Sequence, residues 1–163
     1  MVKKQIHPII RLFLLLISIF VIFSGCSTDD NNANSTKALI QTNNPPPSTI
    51  NGNEKDQKLV MDVKKKVMSK KEVYDVSVIK GEQDILVAYK VRHLKRFRMK
   101  KIEADLQKEL EKEFPDEKFT ISSDYKIFLE SIRLQDKINN KQIPKEDLEK
   151  RLSEIIKLSN EKT

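Results

Sequence analysis

The chain has 163 residues, a formal net charge of +7 and 34% charged residues, with three glycines, one cysteine and no tryptophan. This length predicts one domain, and the composition predicts a small aliphatic core. A single cysteine excludes an intramolecular disulfide. Removing residues 1–25, which hold three basic and no acidic residues, lowers the net charge to +4. A charge of that size does not by itself indicate a nucleic-acid-binding protein.

The first 26 residues have the pattern of an export signal that ends in a lipidation site. Three basic residues accompany an apolar run at 12–23 (LFLLLISIFVIF), which is shorter than the roughly 20 residues that a spanning helix needs. Two small residues, Ser24 and Gly25, then precede Cys26. This ending resembles the lipobox of bacterial lipoproteins, in which the cysteine thiol receives a diacylglyceryl group and becomes the mature N-terminus.

The predicted lipidation makes a membrane the first expected partner. Two acyl chains, at about 0.8 kcal/mol per buried methylene, hold a protein stably, whereas one chain holds it reversibly. As an alternative, the segment stays uncleaved as an N-terminal anchor, although residues 9–23 are interrupted by Arg11. Both alternatives place the protein on a membrane, and the lipid-anchored form is expected on the extracytoplasmic face of the cell membrane. Because export separates the protein from nucleic acid, no nucleic-acid partner is predicted.

Residues 26–55 are rich in Asn, Ser, Thr and Pro, and we predict a lipidated, disordered tether. The apolar cluster at 38–40 is too short to fold alone. Three consecutive prolines at 45–47 are expected to stiffen the chain locally as polyproline II. The composition therefore predicts that the folded part begins near residue 56.

From Asp56 the hydrophobic periodicity predicts elements in the order α-β-β-α-β-α-α. Helices are expected over about 56–70, 99–113, 124–138 and 144–158, and strands over 73–80, 84–91 and 118–122. The third helix is predicted to bury Tyr125, Phe128, Leu129 and Ile132. An α+β fold follows, with a small three-stranded sheet and its helices mainly on one face. The predicted parts are a signal peptide (1–25), the tether (26–55), an α/β domain (56–138) and a C-terminal helix (139–163).

Residues 92–101 form a basic segment with six cations in ten positions, namely Arg92, Lys95, Arg96, Arg98, Lys100 and Lys101. The simplest interpretation is a solvated helix face. However, a helix N-terminus carries partial positive charge, so cations at the start of this helix and glutamates at its end each cost a few tenths of a kcal/mol. We therefore predict that the basic segment binds an anionic lipid or a cell-wall polyanion.

The sequence offers little for catalysis. His93 is the one histidine left once the signal is removed, and its basic neighbours would repel a metal ion. Neither a Ser-His-Asp nor a Cys-His arrangement can be assembled from positive evidence. No catalytic residue, metal site or cofactor is predicted, and a hydrolase acting on wall or lipid is the less favoured alternative.

Several parts of the sequence follow one another in a characteristic order. They are a lipobox at Cys26, a polar spacer, a helix running into VYDVSV (73–78), a strand ending in YKV (89–91), a lysine-rich helix, and FTISSD (119–124) opening a helix. This order resembles the YhcN/YlaJ family of sporulation lipoproteins over about 56–138, with the helix at 141–163 interpreted as an addition. The resemblance implies a lipoprotein of the spore envelope, linked to germination or outgrowth, and implies no catalytic residues.

Two kinds of protein partner stay open at this point. The resemblance is compatible with a domain that binds another envelope protein. The αββαβ order also resembles the ring-building modules of secretion and spore-channel proteins, so self-association is the alternative. Likeness of fold does not transfer function.

Overall fold

The computed structural model describes residues 45–92, 97–141 and 143–161. The predicted signal peptide, Cys26 and the tether up to residue 44 lie outside the described residues. Four strands and four helices are described. They are β1 (Ser48–Thr49), α1 (Glu54–Met68), β2 (Val73–Lys80), β3 (Asp84–Val91), α2 (Met99–Glu113), β4 (Lys118–Ser122), α3 (Tyr125–Asn139) and α4 (Lys145–Asn160).

The strands form one mixed sheet in the order β1-β2-β3-β4. β2 and β3 form an antiparallel hairpin, in which Val78 lies opposite Val87. β1 pairs in parallel with β2, and β4 pairs in parallel with β3. Because parallel neighbours need a crossover, α2 carries the chain from the end of β3 back to the start of β4.

A hydrophobic core lies on each face of the sheet, because successive side chains of a strand point to opposite faces. On one face Val87 of β3 packs in a cluster with Val63 of α1 and Leu106 of α2. On the other face Leu86 packs in a cluster with Leu152 of α4 and with residues of α3. β3 is therefore buried on both sides.

The predicted α+β class and the predicted order of elements are confirmed. Two details of the sheet and of the helix layers differ from the prediction. The sheet has a fourth strand, because Ser48 and Thr49 align with the end of β2, and a polar strand of two residues leaves no hydrophobic pattern. The helices lie two on each face rather than mainly on one, because Leu86 and Ala88 make the second face of β3 apolar.

α3 buries Phe128 as predicted, but the rest of its buried face differs from the prediction. The buried residues are Ile127, Phe128, Ser131, Leu134 and Gln135. Tyr125 is 48% exposed, and Leu129 and Ile132 are only partly buried. Gln135 takes a buried position because the sheet supplies it with a partner: its Oε1 accepts a hydrogen bond of 2.9 Å from the Ser77 hydroxyl. The Ser131 hydroxyl donates to the Phe128 carbonyl oxygen within α3. A hydrophobic pattern counts such residues as solvent-facing.

The residues that precede α1 are bound to the domain. Gln135 Nε2 donates to the carbonyl oxygen of Pro46 at 3.1 Å, and Lys64 Nζ donates to that of Pro45. The Ser48 hydroxyl donates to Asn139 Oδ1 at 3.3 Å. Of the stretch that composition predicts as a tether, residues 45–55 thus carry β1 and the start of α1.

α4 belongs to the second core. Leu152 and Ile155 are almost fully buried there, and Arg151 donates to the Glu130 carboxylate of α3. The β2–β3 turn also meets α4, since the main-chain N–H of Glu82 donates to Glu149 at 3.0 Å. The last helix therefore packs on both α3 and the hairpin.

Candidate functional site

The basic segment lies where β3 ends and α2 begins. Its described residues are Arg92 and Phe97 to Lys101, whereas Lys95 and Arg96 lie outside the described residues. Arg92, Arg98, Lys100 and Lys101 are all exposed. Within the described ranges none of these four cations forms an ion pair. Their charges are therefore open to a partner outside the domain.

The start of α2 is electrostatically unusual for a helix. Its first turn holds no acidic residue, and the residue at its N-cap, Arg98, makes no side-chain capping bond. α1 and α3 differ, because Asn53 and Asp124 accept hydrogen bonds from their first N–H groups. Unsatisfied N–H groups add to the positive potential of a helix N-terminus. The cations and the helix end thus carry charge of the same sign.

The opposite end of α2 has partners in the fold. Glu113 forms an ion pair of 2.6 Å with Lys66 of α1, and Glu109 pairs with Lys70. The hydrogen bond that the Lys66 ammonium donates to Glu113 raises the pKa of Lys66, and the negative charge of Glu113 raises it further. Packing against α1 thus explains why glutamates stand at the unfavourable end of α2. Among the described residues no comparable contact explains the cations at its start.

The structure adds Lys71 to this basic surface. The main-chain N–H of Arg92 donates to the Glu72 carbonyl oxygen at 2.9 Å, and Arg92 Nε donates to that of Lys71 at 3.2 Å. The Lys71 residue is exposed. Sequence reasoning missed it because it lies 21 positions from Arg92. The predicted β2–β3 hairpin could have indicated it, because the pairing of Val73 with Val91 brings Lys71 and Arg92 to the same end of the hairpin.

Phe97 is 98% exposed, more than any other large hydrophobic residue among those described. It lies with Arg98 in a 3₁₀ turn that leads into α2. Met99, two positions later, is partly buried and packs against the core formed with α1. An exposed aromatic ring therefore stands at the edge of the cluster of cations.

A cavity of about 600 Å³ lies beside the first turns of α2, between that helix, β4 and the end of α4. Lys100, Glu103 and Ser123 contribute polar groups to its lining. The N–H and the hydroxyl of Ser123 donate to Glu103 Oε2 at 3.2 and 3.1 Å. These hydrogen bonds from Ser123 hold α2 against the end of β4. The negative charge of Glu103 also acts on the Tyr89 phenol, whose pKa is raised first by burial and then by this charge.

Residues 45–92, 97–141 and 143–161 hold no group of three or more His, Cys, Asp or Glu side chains able to bind a metal ion. Nor do they include a helix long and apolar enough to cross a membrane.

Comparison with known proteins gives one family. The model of the family described as sporulation lipoprotein YhcN/YlaJ matches residues 26–157. The match begins at the cysteine predicted to be lipidated and ends within α4, so it is longer than the predicted resemblance over 56–138. No curated protein and no solved structure matches the chain.

Proposed function

The chain belongs to the YhcN/YlaJ family of sporulation lipoproteins, and from that membership we propose that it is a non-enzymatic envelope lipoprotein whose α+β domain binds an anionic surface. Diacylglyceryl-modified Cys26 anchors it to the extracytoplasmic face of the cell membrane or the spore inner membrane. Its role is linked to sporulation or germination. The bound chemistry is phosphate, which phospholipid headgroups and cell-wall polymers both carry. Four exposed cations without ion-pair partners in the described residues carry this proposal.

The strength of such binding follows from the number of cations. Each basic residue near an anionic surface contributes about 1 kcal/mol, so Arg92, Arg98, Lys100 and Lys101 together contribute about 4 kcal/mol. Free in solution this is a weak interaction. A short tether raises the effective concentration of the surface to the millimolar range, so weak binding is sufficient for an anchored domain. Because exposed charges are screened by salt, the interaction weakens as ionic strength rises.

Neutralising the cations tests the binding surface. Arg92, Arg98, Lys100 and Lys101 are replaced together by Gln in the mature chain carrying Cys26→Ser, so that acyl chains do not dominate binding. Sedimentation with phosphatidylglycerol-containing vesicles should show loss of the salt-sensitive binding. A soluble anionic wall polymer, added as a competitor, separates the two sources of phosphate. Unchanged vesicle and polymer binding would contradict the proposal.

A matched control removes the same charge elsewhere. Lys126 and Lys137 of α3 and Lys150 and Lys157 of α4 are exposed and form no ion pair among the described residues. Their replacement by Gln lowers the net charge equally. Binding should then fall only slightly, because these lysines lie on the helices of the other face.

The anchor is tested independently. Mass spectrometry of the native protein should show a mature N-terminus at Cys26 with a diacylglyceryl mass increment. Cys26→Ser should move the protein out of the detergent-soluble membrane fraction. Detection of the native protein without acyl chains and outside any lipid fraction would contradict the anchoring proposal.

A further inference from the structure

We propose that Phe97 inserts into the interfacial layer of an anionic phospholipid bilayer, so that Arg98, Lys100 and Lys101 bind membrane lipid in preference to a wall polymer. This inference rests on the proposed function, because it concerns the same basic surface. It adds a hydrophobic contact to an electrostatic one, and it names which of the two sources of phosphate the domain binds.

Exposure alone does not carry this inference, because single exposed apolar residues are normal on soluble proteins. The surroundings of Phe97 distinguish it. Met61, which is 61% exposed, is followed by Asp62 on α1. The ring of Tyr125 already has the Lys90 ammonium 5.6 Å from its centroid. Phe97, by contrast, is almost fully exposed at a helix start that holds cations and no acid.

A bilayer surface offers partners for both kinds of group. At the boundary between headgroups and acyl chains, aromatic and aliphatic side chains bury their apolar surface while Lys and Arg remain at the phosphates. Arg98, Lys100 and Lys101 follow Phe97 within four positions and are exposed. A soluble phosphate polymer supplies anions but no hydrocarbon. Only the lipid surface therefore gives Phe97 a favourable environment.

The charge distribution of α2 suits this orientation. The helix has 15 residues and is therefore roughly 22 Å long at 1.5 Å per residue. Glu109 and Glu113 lie towards its far end; Glu113 is paired with Lys66 of α1 and Glu109 with Lys70, just after α1. Contact through the first turn keeps these carboxylates away from anionic headgroups. Lys71, beside Arg92, adds another cation to the end of the sheet from which α2 starts.

The absence of tryptophan from the sequence allows a direct test. Phe97→Trp, in the mature chain carrying Cys26→Ser, places one fluorophore at the proposed contact. The vesicles consist of phosphatidylcholine with about 30 mol% phosphatidylglycerol, which makes their surface anionic. On binding to them, the emission of Phe97→Trp should shift to the blue. Met61→Trp is the matched control, because it places the probe at another exposed apolar position, and its emission should stay unshifted.

Binding measurements complete the test. Phe97→Ala should lower vesicle partitioning about tenfold, since a buried phenyl ring contributes on that order, and should leave binding to inorganic polyphosphate unchanged. Arg98→Gln/Lys100→Gln/Lys101→Gln should weaken both. Far-ultraviolet circular dichroism establishes that each variant is folded.

Three outcomes separate the inference from the proposed function. If Phe97→Trp emission does not shift while binding remains sensitive to the charge variant, the inference is overturned and the proposed function stands. Equal loss of vesicle and polyphosphate binding in Phe97→Ala also overturns it, because hydrocarbon is then not involved. If the charge variant binds both probes like the parent chain, the proposed function itself is overturned.

Discussion

Gln135 of α3 donates its side-chain amide to the carbonyl oxygen of Pro46 at 3.1 Å, across 89 positions of the chain. The same amide donates to the carbonyl oxygen of Val78 at 3.2 Å and accepts the Ser77 hydroxyl at 2.9 Å. Gln135 is 1% exposed. One buried side chain thus joins α3, β2 and the segment that arrives from the tether.

Replacing Gln135 should destabilise the domain and loosen that segment. Gln135→Leu leaves the Ser77 hydroxyl and two carbonyl oxygens without this partner, so we expect the free energy of unfolding to fall by about 2–4 kcal/mol. The N–H of Ile50, which donates to the Lys80 carbonyl oxygen at 2.9 Å, should exchange with solvent faster. Urea unfolding and amide hydrogen exchange measure the two effects. Gln83→Leu, at an exposed turn position, should change stability by less than about 0.5 kcal/mol.

Lys90 and Asp75 form a buried ion pair between neighbouring strands. Lys90 Nζ lies 3.5 Å from Asp75 Oδ2, and the two residues are 7% and 1% exposed. Lys90→Met leaves a buried carboxylate without its counter-charge, which should cost about 3–5 kcal/mol of unfolding free energy. Lys90→Met/Asp75→Val should be more stable than Lys90→Met alone when both are compared by urea unfolding. A double variant as unstable as the sum of the two single variants would contradict this.

Gly81 allows the hairpin to approach α4. A Cβ atom at this position would lie 2.5 Å from Glu149 Oε2 and 2.7 Å from Leu152 Cδ2. Gly81→Ala should therefore lower the free energy of unfolding by about 1–3 kcal/mol. The loss should be smaller in a Leu152→Ala background, where there is space for the methyl group. Gly52→Ala, whose cost comes from its φ of +67° rather than from contacts, should not be rescued in that background.

The carboxyl group of Glu149 should make stability depend on pH. Burial raises its pKa, and the hydrogen bond from the Glu82 N–H opposes part of that rise. The folded state then holds the proton more tightly than the unfolded state. Stability is therefore lost as pH rises from the ordinary value near 4.5 through the raised pKa of the folded protein.

Glu149→Gln keeps the acceptor oxygen and removes the charge. The difference in Tm between this variant and the parent chain should thus be more positive at pH 7 than at pH 4. Asp62→Asn, at an exposed position of α1, serves as the control and should show no such change. An equal Tm difference for Glu149→Gln at both pH values would be inconsistent with the raised pKa.

Most of the basic surface was identifiable from sequence, because six cations in ten positions are a local pattern. The unfavourable charge distribution of α2 was also readable from the sequence, but which end of the helix finds partners was not. The carboxylates of Glu109 and Glu113 pair with Lys70 and Lys66, respectively, and only the packing of α1 beside α2 shows that one end of the helix is compensated within the described residues. The exposure of Phe97 likewise depends on where the chain leaves β3.

The sequence by itself determined the class of the fold, the order of its elements and the family, because amphipathic periodicity and the order of parts are read along the chain. Tertiary structure alone decided that Ser48 and Thr49 form an edge strand, that helices cover both faces, and that α3 buries Gln135 rather than Tyr125. The physical reason is common to all three. Each depends on hydrogen bonds or packing between residues far apart in the chain, and a polar side chain that finds a buried partner looks the same in the sequence as one that faces water.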